Sequence, residues 1–342
     1  LLEETRRFYP NNNLGAHLLG YVDLEGNAKM GLELALDEWL RGTEGKSRFV
    51  KDAHGVPLPN GELEYVPAED GADVYLTIDR KIQSFVEKAL DKAQETYHPK
   101  RMMALVSNPD TGEILAMAVR PGFDPNQYWS IENYSNYTIS YPFEPGSTFK
   151  IITLAAAIEE GLFNPEETYM SGTYWVKGSR IPVRDHNNGR GWGKITFLEG
   201  VQNSSNVLFA MLGVERLGQE RLIHYIHKFG FAQKTGIPLP GEVVGRVPDV
   251  SQRLPVRDLA SISFGQAVSV TPIQQVAAVG AIANGGMLLK PSIIQRIVKD
   301  GEVVQDFKPA AGKRVISEET SRKVREILES VVTDGSGQAA YL

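Results

Sequence analysis

Cysteine is absent from the sequence, which excludes disulfides, thiol nucleophiles and cysteine-ligated metals and is compatible with an oxidising compartment. No run reaches the roughly 18 apolar residues of a membrane-spanning helix, and no signal peptide opens the chain. The first residue is Leu1 rather than Met, so an upstream segment, a membrane anchor included, is expected beyond it. Neither sign of charge dominates: 36 Lys and Arg against 42 Asp and Glu leave a net charge of −6, with both signs interspersed. That balance offers no basic stripe for nucleic acid and no polybasic patch for anionic lipid. What is present, 342 residues with 42% hydrophobic content, suffices for one large domain with a substantial core plus a smaller one.

Within Gly31 to Leu40, Leu32, Leu36 and Leu40 recur at helical spacing. The polar stretch from Asp52 to Asp73, with Pro57, Pro59, Asn60, Gly61, Pro67 and Gly71, is the best domain boundary. Val74 to Ile78 is a β-branched run, and Asp79 is placed to cap a helix whose apolar face is Ile82, Phe85, Val86, Ala89, Leu90 and Ala93. Met102 to Val106 and Glu113 to Val119 flank Asn108-Pro109-Asp110-Thr111-Gly112, which reads as two strands joined by a tight turn. From Gly146 the pattern is mostly helical, with loops at about 165 to 193 and 232 to 258. No internal repeat or low-complexity tract occurs.

In Glu144-Pro145-Gly146-Ser147-Thr148-Phe149-Lys150 a Pro-Gly pair leads into the apolar run Ile151 to Ile158, so Ser147 is expected to open a buried helix. Ser147 and Lys150, three apart, share a helical face, close enough for the amine to accept the hydroxyl proton. Burial lowers a lysine pKa towards that role, and a helix N-terminus favours negative charge developing near the serine oxygen. Taken alone, the pair reads better as an N-cap and a solvated first-turn lysine, since about one such match arises by chance in a chain this long. Ser204-Ser205-Asn206 lies between apolar segments. There a hydroxyl and a carboxamide two residues apart can face one cavity, Ser204 to relay a proton and Asn206 to hold Lys150; the plain alternative is a capped helix boundary.

Together the two motifs resemble the first two signatures of penicillin-binding transpeptidases. The resemblance extends to Tyr9-Pro10, Gly31-Leu32-Glu33, Leu76-Thr77-Ile78-Asp79 with Gln83, and Asn108-Pro109 with Thr111 to Met117. It continues through Ser263-Phe264-Gly265-Gln266, Val270-Thr271-Pro272-Ile273-Gln274 and Asn284-Gly285-Gly286, and so spans nearly the whole chain. Within class B, Asp185-His186-Asn187, Gly191-Trp192-Gly193 and Tyr225 to Gly230 are most similar to division enzymes of Gram-positive rods. Lys313 to Ser321 and Thr271 to Val276 fit a sporulation-specific relative as well, and the choice stays open.

The resemblance implies an α+β fold, an antiparallel sheet flanked by helices with a helical subdomain, preceded by a small pedestal remnant. Residues 1–70 are the expected C-terminal part of the pedestal with its linker, and 71–342 the transpeptidase domain, expected to be incomplete at its C-terminus and to lack its third-motif strand and two later ones. It implies a peptidoglycan DD-transpeptidase in which Ser147 forms the acyl-enzyme, Lys150 takes its proton, Ser204 protonates the leaving amine and Asn206 holds Lys150 and the substrate amide. Expected partners are peptidoglycan stem peptides, β-lactams, and a membrane glycosyltransferase with other division proteins, with no nucleic acid, no metal and no organic cofactor. The expected location is the outer face of the bacterial membrane, through an N-terminal anchor. The rival readings are a penicillin-binding hydrolase and a non-catalytic β-lactam sensor or scaffold on the same fold.

Two features look functional without fitting. Lys234-Thr235-Gly236 imitates the family's third signature, yet it precedes the Pro/Gly-rich Ile237 to Glu242, whereas that signature needs a cleft-edge strand. By resemblance the true third motif falls a little beyond Val331 to Gly337, so the natural protein is expected to continue past Leu342 or this fragment to be poorly active. His224 and His227 share a helix face but have no evident third ligand, and Leu222, Ile223, Ile226 and Phe229 explain that helix as packing. His186, and the glycines Gly189, Gly191 and Gly193, read as turn residues rather than as a phosphate loop.

Overall fold

The computed structural model describes residues 7–51, 54, 57–308 and 311–341. Residues 1–6, Asp52, at which the polar stretch begins, and Leu342 are among those outside the described residues. The N-terminal part carries three short helices, α1 (Ala16–Leu19), α2 (Gly31–Ala35) and α3 (Asp37–Leu40). The expected continuous helix is broken at Leu36 (φ −119°, ψ 18°), but Leu32 and Leu36 are buried as their spacing requires. Gly31 has φ +62°, and a Cβ there would lie 2.5 Å from Gly20 N, so this crossing admits only glycine. With Leu18, these leucines share one apolar cluster with Ile114, Met117, Ile294 and Ile297 from the body of the molecule.

The polar stretch contains more order than its composition suggests. Strands β1 (Lys46–Lys51) and β2 (Pro57–Val66) pair antiparallel as a two-stranded ribbon. Both are edge strands, where the missing N–H groups of Pro57 and Pro59 need cost no ladder bond. Strand β3 (Asp73–Leu76) then leads into helix α4 (Arg80–Tyr97), whose N-terminus is capped as expected: the Asp79 carboxylate accepts from the N–H groups of Lys81 and Ile82. Such a cap contributes about 1 kcal/mol.

The buried face of α4 is not the one its apolar residues mark. Gln83 and Glu87 are the buried positions, while Phe85 is 71% exposed and Ala89 is also exposed. The cause is a polar dock. Met117 N–H donates to Gln83 Oε1 at 2.8 Å and Gln83 Nε2 donates to the Met117 carbonyl at 2.9 Å, so the amide pairs with backbone as a strand would. Glu87 in turn accepts from Gly15 N–H at 2.7 Å and pairs with the buried Arg120 guanidinium at 2.8 Å. Buried donors and acceptors of this kind must be satisfied, and that requirement outweighs burial of a Phe and a few aliphatic groups.

Met117 and Arg120 lie on β5 (Ile114–Arg120), which pairs antiparallel with β4 (Met102–Ser107), with Met102 opposite Arg120, across the predicted turn. After α5 (Tyr137–Ser140), helix α6 (Lys150–Glu159) runs through the middle of the larger core, every residue from Ile152 to Ala157 being buried. The segment read as a loop from about 165 to 193 carries two small ladders. In these, β6 (Thr168–Met170) pairs with β9 (Lys194–Thr196) and β7 (Thr173–Tyr174) with β8 (Val183–Arg184). Strands of two or three residues leave too little alternation to be legible in sequence.

Helices α7 (Phe197–Gln202), α8 (Asn206–Met211), α9 (Gly218–Lys228), α10 (Val256–Ile262) and α11 (Pro272–Ala283) surround α6. Phe149, Phe197, Phe209, Phe229 and Phe231, all fully buried, join them into one core. Burying each such ring contributes on the order of 1.5–3 kcal/mol. Strand β10 (Met287–Leu288) pairs with β13 (Lys313–Arg314), and β11 (Ile294–Lys299) lies between β3 and β12 (Glu302–Asp306). Helix α12 (Glu318–Thr333) packs against α6 and α7, and a short 3-10 turn, Gln338–Ala340, follows it. The named strand pairs are all antiparallel, and with the helices around α6 they make the mixed α and β architecture expected from the sequence.

Candidate active site

The chain reaches Ser147 through a 3-10 turn, Gly146–Phe149, that runs directly into α6. Lys150 N–H closes the turn onto the Ser147 carbonyl. The turn leaves Ser147 exposed and buries Lys150, which is only 4% accessible. Phe149 drives this difference, because its ring fills the core against Phe231 at 5.1 Å and so rolls the neighbouring lysine inwards.

Lys150 Nζ then meets three oxygens. It donates to the Ser204 carbonyl at 2.6 Å, to Ser204 Oγ at 3.0 Å and to Asn206 Oδ1 at 2.8 Å, and it sits 5.4 Å from the centre of the Phe209 ring. Among the described residues the exposed Ser147 hydroxyl itself makes no hydrogen bond. Burial pushes the Lys150 amine down from 10.5 to about 8, with the Asp185 carboxylate opposing the shift. A neutral amine is thereby accessible near neutral pH, which an ordinary surface lysine does not provide.

The second motif lies between α7 and α8, and its three residues divide the work. Ser205 is the N-cap of α8: its Oγ accepts from Leu208 N–H. That leaves Ser204 and Asn206 free to turn towards Lys150. Ser204 takes φ +53°, a left-handed conformation uncommon for serine, which aims both its carbonyl and its hydroxyl at one amine. Asn206 is fixed from its other end, where Nδ2 donates to the Arg184 carbonyl at 3.0 Å. The plain capping reading and the functional one therefore hold on different residues of the same tripeptide.

Asp185 underlies the arrangement and was not singled out as a site residue from sequence. It is 2% accessible, and its carboxylate accepts from Gly172 N–H at 2.7 Å, Ser205 Oγ at 2.8 Å and Val207 N–H at 3.1 Å. It thus ties the 172–185 segment to the start of α8. An acid in a polar glycine-rich loop carries no local signal of such a role. His186 beside it stays exposed, packs its ring on Trp192 and bonds through Nε2 to the carbonyl of Asn203, one residue before Ser204.

Lys234-Thr235-Gly236 forms no strand. Glu242 closes it as a loop, accepting from Thr235 N–H and Thr235 Oγ1 at 2.6 Å each. His224 is exposed on α9 while Leu222, Ile223 and Ile226 are buried, which accounts for that helix as packing. Among the described residues no group of three or more His, Cys, Asp or Glu is arranged to hold a metal ion.

The geometry can be set beside known proteins. Residues 102–341 match the family described as penicillin binding protein transpeptidase domain, and residues 1–76 match the penicillin-binding protein dimerisation domain. The chain belongs to the penicillin-binding protein transpeptidases. It is 45% identical over 99% of its length to stage V sporulation protein D of Bacillus subtilis, and 38% identical over 95% to the penicillin-binding protein PbpB of Mycolicibacterium smegmatis. It covers 53% and 50% of those two proteins, and so spans about half the length of the curated relatives it matches. Among solved structures, penicillin-binding protein 3 of Mycobacterium tuberculosis in complex with ampicillin superposes with a TM-score of 0.86 at 34% identity, covering 98% of this chain and 72% of that one. The fold is that of the class B penicillin-binding proteins, as the resemblance in the sequence implies.

Proposed function

We propose that this penicillin-binding protein chain carries the acyl-transfer centre of a peptidoglycan DD-transpeptidase, with Ser147 as nucleophile. The observation that carries the proposal is the buried Lys150 amine, one helical turn from an exposed serine and bracketed by Ser204 and Asn206. Ser147 Oγ attacks the carbonyl carbon of the penultimate D-alanine of a stem peptide, and its proton passes to neutral Lys150. The tetrahedral adduct collapses with cleavage of the C–N bond, terminal D-alanine leaving as the amine after receiving that proton. A neighbouring stem's amine then attacks the ester carbonyl, forms the cross-link amide and returns the proton to Ser147.

Donor counting supports Ser204 as the relay. The Ser204 carbonyl and Asn206 Oδ1 can only accept, so a neutral Lys150 spends its two N–H bonds on them. Its single lone pair serves one hydroxyl at a time, taking the Ser147 proton during attack. Ser204 Oγ, 3.0 Å from the protonated amine, is then within reach to pass that proton to the leaving group. By family resemblance the Ser147 N–H serves as one donor of the oxyanion hole, and the second comes from a third-motif strand.

The relatives' names support the substrate class: the Escherichia coli peptidoglycan D,D-transpeptidase FtsI is 29% identical over 98% of the chain. Among cellular roles the reading is septal wall synthesis beside membrane and division partners at the outer face of the membrane. The 45% identity to a sporulation protein favours a second reading, a role in sporulation. Among the described residues no helix is long and apolar enough to cross a membrane. The test of the chemistry is intact mass of the full-length protein after penicillin treatment, followed by peptide mapping. The expected result is one stable adduct on Ser147; rapid turnover of that adduct would instead indicate the hydrolase, and an adduct elsewhere would refute the assignment.

A further inference from the structure

The turn that presents Ser147 is held from outside its own helix. Residues 143–146 run beside 265–270 and are pinned to them at successive points. Phe143 and Val270 exchange two backbone hydrogen bonds, each 2.9 Å, and Gly146 N–H donates to the Gly265 carbonyl at 2.9 Å. The two segments touch as closely as backbone allows, since a Cβ on Gly265 would fall 2.1 Å from the Gly146 carbonyl oxygen. Between these backbone pins lies one made by a side chain, Ala267 N–H donating to Glu144 Oε1 at 2.9 Å. Ala267 holds φ +59°, a left-handed conformation that an alanine adopts only when its surroundings impose it.

We infer that Glu144 is a positioning residue for the acyl-transfer step, its carboxylate oxygen locking the left-handed Ala267 turn against the Ser147 turn so that the nucleophile and its N–H keep their register. The inference rests on the acyl-transfer reading of Ser147. Glu144 is exposed and lies outside the apolar core, so its bond adds little to global stability. It is also the one of these pins made by a side chain, so a substitution can remove it without altering the backbone. What the bond supplies is local. Gly146 has φ +56° and is itself held by its N–H bond to the Gly265 carbonyl, so the Glu144–Ala267 bond acts by keeping the 265–267 segment that supplies this carbonyl in register. A displacement of under an ångström at a nucleophile lowers rate without affecting ground-state binding.

The experiment measures acylation of the full-length protein by a fluorescent penicillin over a concentration series, which separates maximal rate from half-saturation, with melting temperature alongside. Glu144→Ala is expected to lower the maximal rate by about tenfold to a hundredfold, with half-saturation and melting temperature close to wild type. Glu144→Gln, which retains an acceptor oxygen at the same reach, should stay within about threefold of wild type, whereas Glu144→Asp, one methylene too short, should fall with the alanine variant. A wild-type rate for both Glu144→Ala and Glu144→Asp would overturn the inference, and so would an effect confined to half-saturation. Full activity of Asp with loss in Gln would overturn it too, because charge rather than reach would then matter. Failure of the wild-type protein to label at Ser147 would instead refute the acyl-transfer reading itself.

Discussion

The surroundings of α6 and those of α4 and β4 differ sharply in how well they are closed. Around α6 the chain supplies its own partners: Lys150 is satisfied by Ser204 and Asn206, Asp185 by Gly172, Ser205 and Val207, and fully buried Phe, Leu and Ile side chains fill the space behind them. Along α4 the apolar stripe is only half covered, with Phe85 at 71% exposure, and every residue of β4 is partly exposed. One region is a finished core. The other is a sheet and helix face that stays partly exposed. The site's geometry is therefore carried by the helical half, and the two halves should respond differently to the same kind of damage.

Lys150→Ala is expected to have the largest effect, slowing acylation of Ser147 by penicillin about 10²–10⁴-fold, as loss of a general base does; labelling kinetics check it. The wild-type rate should rise with pH through about 8, where Lys150 loses its proton. Stability shifts in the same direction. The folded-state pKa lies below the unfolded 10.5, so the unfolded chain binds more protons between about 8 and 10.5, and Lys150 makes the fold more stable as pH rises across that window. A flat pH profile would show that this lysine is not the base.

Leu154→Ala, in the closed half, is expected to cost about 2–5 kcal/mol in denaturant unfolding, because the surrounding helices cannot collapse into the cavity. Asp185→Asn should cost about 1–3 kcal/mol, since one of its acceptor oxygens becomes a donor facing N–H or O–H groups. It should also slow acylation, through Ser204 and Asn206. In the open half, Phe85→Ser in this 342-residue chain should change stability by no more than about 0.5 kcal/mol while reducing aggregation. An equal loss for Phe85→Ser and Leu154→Ala would erase the contrast between the halves.

The features legible in the sequence are those decided within a few residues. The Asp79 cap, the β4–β5 turn and the apolar run of α6 need only local chemistry, and each is found where the sequence places it. The 3-10 geometry at Ser147, the small ladders between 168 and 196 and the ribbon of β1 and β2 were not legible, because each depends on contacts outside its own segment.

By itself the sequence determined which residues share a helical face and which can cap a helix or turn a strand, since side-chain periodicity and backbone sterics act locally. Only the tertiary structure decided which face turns inwards. Helix α4 buries Gln83 and Glu87 because Met117, Gly15 and Arg120 lie across from them, and Lys150 meets Ser204 across 54 residues of chain. A buried polar group must find its partner wherever the fold brings one, and spacing along the chain does not carry that information.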